Sequence, residues 1–174
     1  MDKFRSVASC GMALALALVA GVCGKSVAQS VIFPQPEQPG QAVLTMVSDG
    51  GFELGNDLFM ASFVPKGGSL VFGGCDAMNL IPGSELFSVT FANGVTVNAS
   101  EMEMSSARAM RYKGDPEAAR GSERFDGWAL VADFTVDNLD IRWRAVLRAG
   151  SHYLRTEMEL TAKSDVAMQA VTPM

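Results

Sequence analysis

Arginines, glutamates, aromatics and the chain's one histidine fall together in residues 142–160, "RWRAVLRAGSHYLRTEMEL", and these residue types could do acid–base chemistry. His152 is the natural candidate for a general base, because histidine titrates close to neutral pH. A base of this kind needs a nucleophile to activate, and no serine or cysteine motif supplies one. The alternative is a β-hairpin with charges paired across its strands, and the spacing favours that interpretation.

A two-residue turn at Gly150-Ser151 would fix the pairing of its two strands, since glycine in the first central position suits a type II′ turn. One face of the hairpin is then nearly all apolar. The other face carries opposite-charge pairs, each worth ~0.2 to 1 kcal/mol relative to alanines. The implied pairs are Ala149 with His152, Leu147 with Leu154, Ala145 with Thr156, Trp143 with Met158, Ile141 with Leu160, Arg144 with Glu157, and Arg142 with Glu159.

A second two-residue turn, at Asp137-Asn138, selects the same apolar face. It implies the pairs Val136 with Leu139, Phe134 with Ile141, Ala132 with Trp143, Leu130 with Ala145, Trp128 with Leu147, and Asp133 with Arg142. A one-residue slip would expose Trp143 and bury Arg144. Residues 128–162 are therefore predicted to form a three-stranded antiparallel meander, with both tryptophans in the core and not on the surface as sugar platforms.

The rest of the chain also predicts strands. From Gln41 onward, short alternating runs are separated by Gly, Asn and Asp, and no stretch of ten residues has a convincing helical period. The predicted fold class is all-β, an antiparallel β-sandwich. The candidate strands are "AVLTMV", "GFEL", "LFMASFV", "SLVFGG", "LFSVTF", "VTVNASEMEM", "WALVADFTV", "DIRWRAVLR", "HYLRTEMELTA" and "VAMQAVT".

Residues 105–127, "SSARAMRYKGDPEAARGSERFDG", follow neither the strand nor the helix pattern. They predict a long loop, with a short helical turn around "DPEAAR" capped by Asp115. Loops of this length in compact domains are often functional. The predicted substrate-binding residues come from this segment: Arg108, Arg111, Tyr112 and Lys113.

The N-terminus has the pattern of a secretory signal peptide. Lys3 and Arg5 precede the apolar run "GMALALALVAGVCG", and Ala28 lies where signal peptidase cleaves. The run falls short of the ~20 residues that span a bilayer, so no transmembrane segment is expected in the mature chain. A secreted or periplasmic location follows, with lipoprotein processing at Cys23 as a lesser alternative. The predicted divisions are a signal peptide, 1–28, a Pro-rich linker, 29–40, and a β-sandwich domain, 41–174.

Composition excludes several kinds of site. The net charge of -5 argues against a nucleic-acid partner. The mature chain keeps only Cys75, expected to be a buried, inert thiol, and one cysteine with one histidine does not make a zinc site. No cofactor and no metal is predicted.

Oxygen ligands and carboxylates leave two further possibilities. "DGGFELGND" could offer calcium the oxygens of Asp49, Asn56 and Asp57, but it lacks EF-hand spacing, so a pair of turns is favoured. Glu101 and Glu103 lie two residues apart in a predicted strand. A glycosidase needs two carboxyls ~5 to 9.5 Å apart in a cleft, and sequence alone cannot select such a pair.

Three stretches resemble a known family. They are "GSELF" at 83–87, "WALVADF" at 128–134, and "IRWRAVLRAGSHYLRTEMELTAKSDVAM" at 141–168. They resemble the N-terminal β-supersandwich, a galactose-mutarotase-like domain, of large secreted bacterial glycoside-hydrolase-type proteins, some of them labelled "enterotoxin". The resemblance spans about residues 45–174. Those proteins continue where this chain reaches "AVTPM", so it is expected to be an incomplete sandwich, truncated or shortened relative to them.

The resemblance implies carbohydrate processing outside the cytoplasm, with this domain packed against a downstream catalytic domain that is missing here. None of the family's catalytic residues can be carried over, and a mutarotase would need a paired histidine and carboxylate. The predicted function is a non-catalytic ancillary domain of an exported carbohydrate-active protein, with a carbohydrate or glycan as partner. Two alternatives are a small secreted glycan-processing enzyme that uses loop or strand carboxylates, and a host- or surface-interaction protein.

Overall fold

The chain folds into antiparallel β-strands, as the sequence predicts. A computed structural model describes residues 38–76 and 81–173. The described strands are β1 (Val43–Met46), β2 (Phe52–Gly55), β3 (Met60–Lys66), β4 (Ser69–Cys75), β5 (Phe87–Phe91), β6 (Thr96–Asn98), β7 (Glu103–Tyr112), β8 (Gly127–Val136), β9 (Leu139–Arg148), β10 (Arg155–Ala162) and β11 (Met168–Pro173). Two 3-10 helices, Ala99–Glu101 and Gly121–Arg124, interrupt them.

The strands form three sheets. The first has the order β1-β2-β3-β4, the second β10-β9-β8-β7 and the third β11-β5-β6. The predicted strand "VTVNASEMEM" is divided, because the first 3-10 helix turns the chain between β6 and β7. That helix begins with a capping box, in which the backbone N–H of Asn98 donates to Oε2 of Glu101 at 2.8 Å.

The predicted meander is confirmed in register. Trp143 lies opposite Met158 on one side and opposite Ala132 on the other, and all the pairs predicted for β8 and β9 are present. Asp137 has φ 50°, the left-handed conformation that a tight two-residue hairpin turn requires.

The second turn of the meander is longer than predicted. β9 ends at Arg148 and β10 begins at Arg155. The last described pair is Val146 with Arg155, so the predicted pairs Leu147–Leu154 and Ala149–His152 do not form. The backbone N–H of Ala149 donates instead to Asp126 O at 2.8 Å, and that of Gly150 to Gly40 O at 2.9 Å. These bonds to other segments replace the last rungs of the hairpin.

The prediction of a loop at 105–127 is wrong for residues 105–112, which belong to a strand. β7 runs to Tyr112 and pairs with β8 along its length, which leaves 113–126 as the connection. A bulge between Met104 and Ser106 shifts the alternation, and small residues on both faces hide the period of two. The helical turn also lies elsewhere, at Gly121–Arg124, whereas Asp115 Oδ1 accepts from Glu117 N–H in a simple turn.

All three sheets contribute to one apolar core, which supports a sandwich-like arrangement. Phe63 of the first sheet contacts Trp143 of the second edge to face, with ring centroids 5.6 Å apart. Phe87 of the third sheet meets Phe134 of the second at 5.2 Å. Trp143 is fully buried, while Trp128 is only half-buried at the margin of the core, so the prediction of two core tryptophans holds in full for Trp143 alone.

The described chain begins against this domain. Asp57 N–H donates to Pro39 O at 3.1 Å, and Gly40 O accepts from Gly150, so these last residues of the predicted 29–40 linker pack against the domain, with Pro39 buried. The predicted signal peptide, its cleavage at Ala28 and the alternative at Cys23 lie outside the described residues. Within 38–76 and 81–173, no helix has the length and apolar character needed to cross a membrane.

Candidate binding cleft

Strand geometry separates the four predicted binding residues. Arg108 and Tyr112 lie on β7 with their side chains on the face of the second sheet that points away from the core, called the outer face below. Arg111 lies on the opposite face, because successive residues of a strand alternate. Lys113 follows the strand and is exposed. The structure therefore does not bring the four together as one site.

Three of these four residues contact other side chains of the same chain. Arg108 Nη1 lies 2.6 Å from Asp133 Oδ2, and Arg111 Nη2 lies 3.7 Å from Asp126 Oδ2. The Tyr112 ring lies beneath the guanidinium of another arginine. The charges of Arg108 and Arg111 are thus already partly neutralised.

Asp133 is the centre of a charged ladder on the outer face. It accepts hydrogen bonds from Arg108 and from Arg142 Nε, the latter at 2.7 Å, and from Ser106 Oγ at 2.9 Å. Burial raises the pKa of the carboxyl, but these hydrogen bonds outweigh burial and lower the pKa from 3.8 to about 2. Asp133 is therefore an ionised, fully engaged carboxylate.

The ladder continues across β9 and β10 with one change of partner. Arg142 was predicted to lie between Asp133 and Glu159, but Glu159 Oε2 instead accepts from Arg144 Nη2 at 2.7 Å. Arg144 also lies 3.6 Å from its predicted partner Glu157. Two carboxylates converge on Arg144, since Arg142 is already bound to Asp133. The arrangement is that of a solvated ladder, the interpretation favoured from sequence.

The ladder's pKa shifts are opposite to those of a catalytic acid. A general acid of a glycosidase needs a raised carboxyl pKa. The pKa values of Asp133 and Asp140 both shift downward; the hydrogen bond from Lys163 is the largest cause at Asp140, and Thr135 adds another. These two carboxyls are built to stay ionised.

A cleft of about 180 Å³ lies where the 113–126 connection meets the β9–β10 connection. Two aromatic side chains stand exposed beside it: Phe125, 55% exposed, and Tyr153, 56% exposed. Hydroxyl, imidazole and guanidinium groups complete its lining. The lining residues are Ser122, Phe125, Arg148, Ala149, Gly150, Ser151, His152 and Tyr153.

Hydrogen bonds hold the two walls of the cleft together. Arg148 Nη1 donates to Phe125 O at 3.0 Å, and the Arg148 guanidinium lies 4.6 Å from the centroid of the Tyr112 ring. A more distant ion pair, Arg155 to Glu123 at 3.7 Å, ties the 3-10 helix to β10. These contacts join the two segments that line the cleft, which reduces the ordering that a bound ligand would require.

This combination suits a polyhydroxylated ligand. An exposed aromatic face can pack against the apolar face of a ring, while nearby polar groups bond its hydroxyls. Phe125 and Tyr153 were not among the predicted site residues, because Phe125 lies in the irregular segment and Tyr153 was placed in a strand. An aromatic two residues after the Gly150-Ser151 turn, as in "GSHY", was the signal that could have identified Tyr153.

The remaining candidates occupy ordinary structural positions. His152 is exposed in the connection and lines the cleft. Cys75 ends β4, the last strand in the order of the first sheet, and is half-buried, so the expectation of a buried thiol is wrong. Glu101 belongs to the first 3-10 helix and Glu103 to β7, so they do not share a strand.

The proposed calcium ligands form the predicted pair of turns. Asp49 Oδ1 accepts from Gly51 N–H at 2.9 Å, and Asn56 Oδ1 accepts from Leu58 N–H at 3.0 Å. Across 38–76 and 81–173, no group of three His, Cys, Asp or Glu side chains is placed to hold a metal ion.

Comparisons with protein-family models, with curated proteins and with solved structures found no match to this chain. The resemblance to galactose-mutarotase-like domains therefore stays a prediction from the sequence.

Proposed function

We propose that this chain is a non-catalytic ancillary domain of an exported carbohydrate-active protein, and that it contributes to glycan binding through the cleft between Phe125 and Tyr153. One observation carries the proposal: two aromatic side chains, each more than half exposed, stand beside one cleft that also contains hydroxyl and guanidinium groups. Large exposed aromatics cost solvation free energy, so their pairing at a preformed cleft favours a ligand-binding role.

The location of the protein is part of the same proposal. A secreted or periplasmic domain would meet extracellular glycans, and the leader pattern around Lys3, Arg5 and Ala28 supports that route. The resemblance noted above supports a carbohydrate-active partner domain. It also favours a role in shaping or extending a binding surface over a role in bond cleavage.

The test is a glycan-array screen of the full chain, followed by calorimetry on any ligand found. Removing the aromatic walls with Phe125→Ala or Tyr153→Ala is expected to weaken binding about tenfold each, since 1.4 kcal/mol corresponds to tenfold in Kd. The matched control is Ile81→Ala, which truncates a side chain 77% exposed at a position outside the cleft lining and should leave affinity unchanged.

Three substitutions separate the cleft from the residues predicted on sequence. Arg108→Ala, Arg111→Ala and Lys113→Ala, combined, should leave the cleft's affinity within about threefold, because none of these residues lines it. Loss of binding in that triple variant, with the aromatic variants unaffected, would place the sugar site on β7. Absence of binding to any glycan by a folded sample would refute the proposed recognition role.

A second candidate function is a surface-interaction protein, and one surface favours it. A hollow of about 520 Å³ beside the third sheet is lined mainly by apolar residues, among them Phe91, Val95 and Val97. Val95 is 51% exposed, and exposed apolar surface of this kind often marks protein contacts. Val95→Asp would weaken such a contact and leave glycan binding unchanged.

A further inference from the structure

The edge strands of the three sheets differ in how they are blocked from pairing with another strand. An edge strand exposes unpaired N–H and C=O groups, and proteins block such edges with short strands, bulges, proline or covering segments. β1 has four residues and β6 has three, so both are short. β7 and β11 carry irregular registers, and β11 ends at Pro173. β4 is covered where Phe72 N–H donates to Ser84 O at 2.9 Å.

β10 has none of these backbone devices among the described residues. It is eight residues long, contains neither glycine nor proline, and pairs with β9 in an unbroken register. Its partner along the described chain is β9 alone, so one side of its backbone is available. A long, regular edge of this kind is a template for another strand.

The side chains of β10 also stop short of full burial. Thr156, Met158 and Leu160 point toward the core but are half-buried, whereas Ala145, Trp143 and Ile141, their neighbours on β9, are fully buried. The apolar layer of the second sheet is therefore unfinished at this edge. A further strand beside β10 would complete the burial of these three side chains.

We propose that a second copy of this chain supplies that strand, by antiparallel pairing of β10 with β10 about a two-fold axis at Glu157. In this register Arg155 faces Glu159 of the second copy, twice. Thr156 faces Met158 of the second copy, so these two half-buried side chains cover each other across the pair. The two four-stranded sheets become one continuous eight-stranded sheet.

Charge selects this register. The axis brings two Glu157 carboxylates together, but each is held by its own Arg155, 2.6 Å from Nη2, and lies 3.6 Å from Nη1 of Arg144. An axis at Met158 would place Glu157 against Glu159 twice, and like charges directly opposite destabilise a sheet. An axis at Thr156 would pair only residues 155–157 within β10. An axis at Glu159 would pair 156–162 but would form no opposite-charge pair. Pairing about Glu157 uses 155–159 and forms the Arg155–Glu159 pair twice.

Cysteine scanning tests the register in the full chain with Cys10, Cys23 and Cys75 changed to serine. Directly opposite residues have Cβ atoms ~4.5 to 5.5 Å apart, whereas diagonal neighbours are ~7 to 8 Å apart. Mild oxidation should therefore crosslink Glu157→Cys into a covalent dimer in most of the sample. Thr156→Cys and Met158→Cys should each crosslink at least fivefold less, while a mixture of those two variants should crosslink with each other.

Sedimentation of the unmodified chain provides the independent measurement, because it does not depend on a variant's folding. A dimer at micromolar concentration is expected. Arg155→Glu should raise the dimer dissociation constant at least tenfold, since it sets a carboxylate at position 155 against Glu159 of the second copy. A monomer at about 100 µM, or efficient crosslinking from Thr156→Cys alone or Met158→Cys alone, would overturn the proposal.

Discussion

Replacing Trp143 by alanine is expected to lower the free energy of unfolding by about 3 to 5 kcal/mol, the range for large aromatics removed from a core. Trp143 is fully buried, contacts Phe63 of the facing sheet, and lies opposite Ala132 and Met158 in its own sheet. Its removal would leave a cavity bounded by two sheets that cannot collapse together without shifting the ladder.

Trp143→Phe is expected to cost less, about 1 to 2 kcal/mol. The indole Nε1 is buried, and no acceptor among the described residues lies within hydrogen-bond distance. A buried donor without a partner costs about 1 to 3 kcal/mol, so phenylalanine relieves a penalty while it gives up part of the packing. In Trp143→Phe, the loss of packing lowers the stability, while the loss of the unpaired N–H donor raises it.

Urea unfolding at pH 7 measures both variants, with Trp128→Ala as the matched control. Trp128 is only half-buried, so its truncation should cost clearly less than that of Trp143. Equal losses for Trp128→Ala and Trp143→Ala would mean that the burial difference between the two tryptophans is not present in solution.

Asp133 is expected to make the protein lose stability in acid. Its pKa is about 2 in the folded protein, below its ordinary value of 3.8, so folding favours the ionised form. The stabilisation is fully present above pH 3.8 and is lost as pH falls through about 2. One pKa unit corresponds to about 1.4 kcal/mol. The Asp133 side chain is 23% exposed, and solvent screening reduces its effect, so its contribution to the free energy of unfolding is about 1 to 2 kcal/mol.

Asp133→Asn removes this titration while it keeps the shape of the side chain. At pH 7 the variant should be less stable than the parent by about 1 to 2 kcal/mol, and the gap should narrow toward pH 2. Unfolding by urea at several pH values measures the gap directly, and other carboxylates cancel in the difference. A gap that stays constant from pH 7 to pH 2 would show that the charge of Asp133 does not stabilise the fold.

The meander was predictable because two independent turns had to agree. Asp137-Asn138 and Gly150-Ser151 each select a register, and only one combination buries Trp143 and leaves Arg144 on the polar face. The register survived even though the second turn proved longer. Side-chain alternation over eight to ten residues outweighs the geometry of one connection.

Two physical reasons explain why the cleft and β7 could not be predicted from the sequence. β7 has a bulge and small residues on both faces, so its period of two is weak in sequence. The cleft depends on contacts between distant segments: Arg148 with Phe125, and Gly150 with Gly40. Such pairings follow from tertiary packing, and nothing in the local sequence encodes them.

The hydrogen bond from Gly150 to Gly40 has a consequence for how the protein can be presented to a ligand. Gly150 lines the cleft, and its N–H lies 2.9 Å from Gly40 O, close to where the described chain begins. A surface attached through Gln38, the first described residue, would therefore lie within two residues of a hydrogen bond to the cleft wall. Attachment through Pro173, the last described residue, would use the end of β11 instead.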